Sequence, residues 1–181
     1  IATVPAVIAT LLFKDFFDEA PGKPVFVSSL LVVTGLILFV PRFIKGKASK
    51  VGLKSSLVMG VGQAFAILPG ISRSGSTIAA GLVSGVKAEK AAEFSFLMSL
   101  PAIMGGFVLT MKDKMEQTDS FGEALKSCFN GPYLAGAIAA AMVGLFAIYL
   151  VMGAVKRGKL EYFSYYCFVA GIAGIIYFSG S

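Results

Sequence analysis

Histidine is absent from the 181 residues. Chemistry that needs an imidazole therefore cannot come from this chain. Cysteine is scarce: Cys128 and Cys167 stand alone, without CxxC spacing. Neither a disulfide framework nor a zinc site is indicated. Charge is scarce as well. Asp, Glu, Lys and Arg make up 14% of the chain, against about 25% in a typical soluble domain. No basic segment precedes the first apolar run in this sequence, so no signal peptide is expected there. The chain opens at Ile1 inside that run, so we expect a piece of a longer protein whose N-terminal part is missing.

What is present is apolar. Hydrophobic residues make up 56% of the sequence, and the mean hydropathy is +0.82. A soluble protein of this length cannot hide so much apolar surface. The expected class is all-α: a polytopic integral membrane protein of helical spans. The 21 glycines agree, because small residues let membrane helices approach closely. The net charge of +6 would suggest nucleic acid in a soluble protein. Here the basic residues fall in loops between apolar segments, so they bear on orientation in the bilayer, and no nucleic-acid partner is expected.

Residues 1–13 read as the end of a spanning helix, and Lys14–Pro24 as a polar loop. Val25–Val40 is close to the minimum spanning length. Arg42–Lys54 carries five basic residues and no acidic one. Leu57–Leu68 and Ile78–Val86 are apolar but short, and Pro69–Thr77 interrupts them. Ala91–Met111, Tyr133–Val155 and Tyr162–Phe178 are long enough to span, with a mixed-charge loop over Lys112–Pro132. Twelve and nine helical residues rise about 18 and 14 Å, short of a hydrocarbon core of about 30 Å. The expectation is one transmembrane domain over residues 1–181, with a re-entrant hairpin at about 55–86 whose tip lies near the midplane. One kinked span is the other reading. The hairpin puts ten Lys and Arg on one side and five on the other, and the richer side is then cytoplasmic. A kink would invert every later loop.

The interruption reads "ILPGISRSGSTIAAG" over residues 67–81. Pro69 and Gly70 should stop the first half-helix, and Thr77 or Ser76 should cap the second. Ser72, Ser74, Ser76 and Thr77 bring hydroxyls, and Arg73 a fork of N–H donors suited to phosphate oxygens. With a helix N-terminus aimed at the turn, this composition describes an anion site. The plainer reading is that Arg73 bonds backbone carbonyls, or pairs with a carboxylate from elsewhere. Gln63 either joins a helix interface or lines the cavity. Glu93 either favours its helix N-terminus or reaches the tip. Lys87 and Glu89 read as a solvated turn. The Phe and Met positions of 94–111 read as lipid-facing or packing surface, and Tyr162, Tyr165 and Tyr166 as an interfacial belt.

"PGISRSGST" resembles the PGxSRSxxT motif of the undecaprenyl-diphosphate phosphatases of the bacitracin-resistance type. An upstream glutamine and the sequel "GVKAEKAAEFSFLMSLPAIMGG" agree with it, and the resemblance runs along the whole chain. It implies a multi-pass enzyme of the bacterial plasma (inner) membrane, built from two inverted repeats with a re-entrant hairpin in each. The implied reaction converts undecaprenyl diphosphate to undecaprenyl phosphate and inorganic phosphate. It recycles the carrier lipid of peptidoglycan synthesis and gives bacitracin resistance. By the motif, Ser72, Arg73 and Thr77 contact the diphosphate, with Ser74 and Gly75 as further substrate contacts; Arg73 and Ser72 are the catalytic candidates.

The family's other motif, (E/Q)xxxE followed by a serine and a histidine, belongs to the N-terminal repeat and does not occur here. The expectations are half an active site, no catalysis by this chain alone, and no metal ligands within it. A divalent cation (Mg or Ca) would be held by the missing part. Ser72 or Ser74 could attack phosphorus, but no base in the chain would activate either. A homodimer stays open. A transporter or flippase of a phosphorylated polyprenyl lipid is the second reading; a purely structural membrane subunit would not need Arg73.

Overall fold

The structure, a computed structural model, describes residues 2–12, 20–44, 46–117 and 131–180. Helix α1 covers Val4–Leu12. Helix α2, Pro24–Phe39, starts on a proline whose missing N–H would have had no helical partner. It passes into a 3-10 turn, Val40–Phe43, that contains Pro41. Two short helices follow, α3 (Leu53–Phe65) and α4 (Arg73–Val83). Then come three long ones: α5 (Ala88–Gln117), α6 (Gly131–Lys156) and α7 (Glu161–Ser179).

Among the described residues, four stretches are long and apolar enough to cross a membrane: Pro24–Phe43, Ala88–Lys112, Gly131–Lys156 and Glu161–Ser179. Most of their large side chains face outward. Leu145 is 71% exposed and Phe146 63%, values that in water would mark an aggregation surface and in lipid mark a contact surface. Met104 and Phe107 take the lipid-facing role expected of these positions, and the buried Met98 and Met111 the packing one. Tyr162, Tyr165 and Tyr166 are exposed at the start of α7. The chain is an all-α, multi-pass membrane protein.

The described residues form two compact units. One comprises Ser99–Gly153, whose helical stretches are exposed along almost their whole length. The other comprises Ile1–Met98 and Ala154–Ser181 and holds most of the burial. In it, α2 packs along α7. The approach is close enough that a Cβ at Gly35 would meet the Phe168 ring at 2.7 Å, and one at Gly171 would meet Val32 at 2.7 Å. Ser164 Oγ donates to Gly35 O across this interface at 2.6 Å. Small residues and a buried hydroxyl do here what apolar burial does in water, since lipid offers no hydrophobic drive between helices.

In the same unit α3 packs on α4, and α1 on α3. At their open end, Lys47 N and Ala48 N donate to Gly85 O, and Lys87 N donates to Ala48 O, each at 2.9 Å. This parallel bridge, Ala48 to Val86, ties the strand of chain entering α3 to the one leaving α4. The chain thus returns to where it left. Helices of 13 and 11 residues rise about 20 and 17 Å.

The observed boundaries differ from the expected ones in three places. Helix α3 begins at Leu53 rather than Leu57 and ends at Phe65 rather than Leu68. The second half-helix starts at Arg73, so much of the polar interruption is helical. Its cap is Ser72, not Ser76 or Thr77. Ser72 is the first serine with extended backbone after the turn (φ −68°, ψ 117°), and its side chain already takes the free amide of Gly75. The Lys112–Pro132 loop is shorter than expected, because α5 runs to Gln117 and α6 starts at Gly131; residues 118–130 lie outside the described residues, as do Lys14 and the start of its loop.

Candidate functional site

The turn between α3 and α4 is built to fit against α2. Leu68 N donates to Phe65 O, and Ile71 N to Leu68 O at 3.1 Å. Between them Pro69 has no N–H to give, and Gly70 takes φ +98°. A side chain there would be strained by its backbone and would also run into Val27 O on α2. Thr34, 1% exposed on α2, donates its hydroxyl to Gly70 O at 2.7 Å and accepts from Ser72 N at 3.0 Å. Ser72 Oγ then accepts from Gly75 N at 3.1 Å, and Ser76 N donates to Ser72 O at 2.9 Å to open the helix. The amides of Arg73 and Ser74 have no partner among the described residues.

Arg73 is half-buried. One guanidinium nitrogen, Nη2, donates both to Gln63 Oε1 on α3 and to Met98 O on α5, each at 2.9 Å. Gln63 is buried, so it joins the interface and orients the arginine. The Nη1 and Nε edge makes no hydrogen bond among the described residues. No described carboxylate pairs with Arg73: Glu161 pairs with Arg42, and Glu93 with Lys90. Glu93 therefore does not bond to the tip. Of the plainer alternatives, the carbonyl bond is present, yet it uses only one side of the fork.

The five expected substrate contacts separate into two groups. Ser72 and Arg73 are half-buried and Ser74 is exposed, all on the first turn of α4 beside the free amides. Gly75 and Thr77 face protein. The Gly75 amide is taken by Ser72, and a Cβ on Gly75 would meet Leu38 of α2 at 2.9 Å. Thr77 Oγ1 lies 2.5 Å from Ser95 Oγ on α5, 3.0 Å from Arg73 O and 3.1 Å from Ser74 O. Its single proton is committed to these neighbours, which leaves none to donate to a phosphate oxygen. Ser76 Oγ is buried without a partner among the described residues. It lines a small apolar pocket of about 240 Å³.

Thr34, Ser95 and the Met98 carbonyl did not emerge from the motif. Thr34 and Ser95 did carry a signal: each is a small hydroxyl residue inside an apolar helical run, where a polar group needs a protein partner. A backbone carbonyl carries none. The larger cavity of this unit, about 530 Å³, lies elsewhere, at the open end of the helix pair between Leu82, Arg42, Lys87, Glu89, Lys156 and Glu161. Leu82 is nine residues along α4 from Arg73, roughly 14 Å. Among the described residues no group of three or more His, Cys, Asp or Glu is placed to hold a metal ion. With Glu93 and Glu161 in ion pairs, the described residues do not fit a divalent cation at the tip.

Fold and tip together define a multi-pass helical membrane protein with an arginine- and serine-bearing turn between two half-length helices. The chain belongs to the bacitracin resistance protein BacA family, which matches residues 1–173. It is 41% identical over 176 residues to the undecaprenyl-diphosphatase of Salinibacter ruber, covering 97% of this chain and 62% of that protein. It is 44% identical over 174 residues to the undecaprenyl-diphosphatase of Syntrophotalea carbinolica, covering 94% and 63%. It is also 40% identical over 178 residues to the undecaprenyl-diphosphatase of Methanothermobacter thermautotrophicus, covering 95% of this chain and 94% of that one. The chain thus spans a little over three-fifths of the first two relatives and nearly all of the third.

Proposed function

We propose that this chain supplies the phosphate-binding side of a site that hydrolyses undecaprenyl diphosphate to undecaprenyl phosphate and inorganic phosphate. The reaction recycles the carrier lipid of cell-wall synthesis and, through it, gives bacitracin resistance. One observation carries the reading. The edge of Arg73 and the amides of Arg73 and Ser74 that have no partner among the described residues, together with the exposed Ser74, all belong to one helix turn. A helix N-terminus favours an anion, and the guanidinium fork matches phosphate oxygens. The names of the relatives support the choice of lipid.

In this reaction a water oxygen bonds to the terminal phosphorus while the bond from phosphorus to the bridging oxygen breaks. The leaving undecaprenyl phosphate keeps that electron pair. Charge grows on the bridging and equatorial oxygens, and catalysis is mostly positioning and electrostatic stabilisation. Arg73 and the two amides bind those oxygens. Ser72 caps with its oxygen lone pair and keeps its proton for a phosphate oxygen. Thr77 acts indirectly, holding α4 on α5 through Ser95. The base that takes the proton from water lies outside these 181 residues, in a partner repeat; the sequence has no imidazole. A divalent cation, Mg or Ca, bound by carboxylates of that partner would add neutralising charge.

We place α3 and α4 in the plasma membrane as a re-entrant hairpin. The bridge between residues 48 and 86 supports entry and exit on one side, and the basic loops that flank it make that side cytoplasmic. A flippase would use the same anion-binding turn, since broken helices are also a transporter design. Phosphate release from polyprenyl diphosphate in detergent separates the two. The complete protein should release phosphate, and residues 1–181 alone should not exceed background. Lipid binding or translocation without release would favour the flippase. Robust turnover by residues 1–181 would refute the shared site.

A further inference from the structure

We propose that Thr34 is a positioning residue for this site: from α2 it completes the cap of α4 and so sets where Arg73 points. The proposal rests on Arg73 as the phosphate-binding group.

A capping box is normally reciprocal within one helix. The N-cap side chain takes the amide of N3, and a Glu or Gln at N3 reaches back to the N-cap amide. Here the first half is present, Ser72 Oγ accepting from Gly75 N. The second half cannot come from N3, because N3 is Gly75 and has no side chain. A Cβ there would also crowd its neighbours, lying 2.9 Å from Leu38 Cδ2 and 3.0 Å from Ser72 Oγ, so the Leu38 side chain would have to shift. The missing bond comes instead from a different helix, with Thr34 Oγ1 accepting from Ser72 N at 3.0 Å. The same hydroxyl spends its proton on Gly70 O at 2.7 Å. One buried oxygen thus holds the carbonyl on one side of Ile71 and the amide on the other. Leu38, four residues along α2, lies on the same face and meets the same helix turn.

Arg73 follows Ser72 directly. Its guanidinium is fixed by Gln63 and Met98 O, and its backbone by the cap. Removing the Thr34 hydroxyl leaves Gly70 O and Ser72 N without their partner and frees the backbone end. A displacement of about 1 Å in a phosphate-binding group can cost on the order of a hundredfold in rate. A hydroxyl that merely glued helices, as Ser164 does between α7 and α2, would alter stability without altering the tip.

The test uses the complete protein. Thr34→Val removes the hydroxyl at nearly constant shape, and Thr34→Ser keeps it. Steady-state hydrolysis of polyprenyl diphosphate gives kcat and KM. In a Cys128→Ser, Cys167→Ala background, Ser74→Cys reports the tip through its rate of reaction with a small polar thiol reagent. Thr34→Val should lower kcat by about tenfold or more with a smaller change in KM, the pattern of a contact made mainly in the transition state. It should also change the labelling rate, and Thr34→Ser should restore both. Ser164→Ala should lower the melting temperature and leave labelling unchanged. Thr34→Ala, with the same expected direction, replaces the valine variant if that one does not insert. Unchanged kcat and labelling would overturn the proposal, and so would a serine variant as poor as valine. If the wild-type protein releases no phosphate while labelling still responds to Thr34, the hydrolase reading fails and the positioning role stands.

Discussion

Replacing Arg73 by alanine tests the site most directly. The side chain does two things that can be separated. Through Nη2 it ties Gln63 on α3 to Met98 O on α5. Through Nη1 and Nε it offers a fork that nothing described occupies. Loss of one preorganised transition-state donor costs about 2.7–4 kcal/mol, roughly a hundred- to a thousandfold in rate. The internal bonds add a stability cost. Gln63 Oε1 is buried, and an orphaned buried acceptor costs about 1–3 kcal/mol. Arg73→Ala should therefore lose about two to three orders of magnitude in kcat/KM and also melt earlier. Gln63→Leu removes that acceptor but leaves Arg73 its bond to Met98 O, so it should lower the rate by much less than Arg73→Ala. Arg73→Lys keeps the charge but not the planar fork, and should recover little. The assay is phosphate release in detergent, with melting temperatures measured alongside. If Arg73→Ala retains more than about a tenth of the activity, a loss of only about 1.4 kcal/mol, Arg73 is not the phosphate clamp.

Three further outcomes follow from the same geometry. Gly70→Ala should destabilise the protein by more than about 1 kcal/mol, because the position has φ +98° and its Cβ would meet Val27 O; a melting temperature equal to wild type would refute the seating of the turn on α2. Cysteines at Leu53 and Lys87, both exposed next to the chain bridge, should react with an impermeant thiol reagent from the same membrane face, and reaction from opposite faces would replace the hairpin by a kinked span. Thr77→Val and Ser95→Ala should be coupled in a double-mutant cycle by about 0.5–1.5 kcal/mol in stability, given their 2.5 Å contact; additive effects would mean the two hydroxyls do not hold α4 on α5.

By itself the sequence determined the class, the long apolar spans and which donor groups the turn carries. Those depend on local quantities: the length of apolar runs against the bilayer, the rise per helical residue, and the donors carried by Ser, Arg and a helix start. Hence the long helices and the two short ones around Pro69–Gly70 were legible, with ends displaced by as much as five or six residues at α4 and α5. Tertiary structure alone decided which donors stay free. Ser72, Ser74 and Thr77 look alike in "SRSGST", yet one caps, one is exposed and one is consumed by Ser95. That division depends on which face of α4 meets α5, a long-range fact that no local pattern contains. The cap itself was misplaced for the same reason. Ser72 can serve because Thr34, 38 positions earlier in the chain, satisfies its amide, and a glycine at 75 lets Leu38 of α2 pack against the same turn. A motif names the atoms offered to a ligand; packing between distant helices determines which of them have already been spent on the protein.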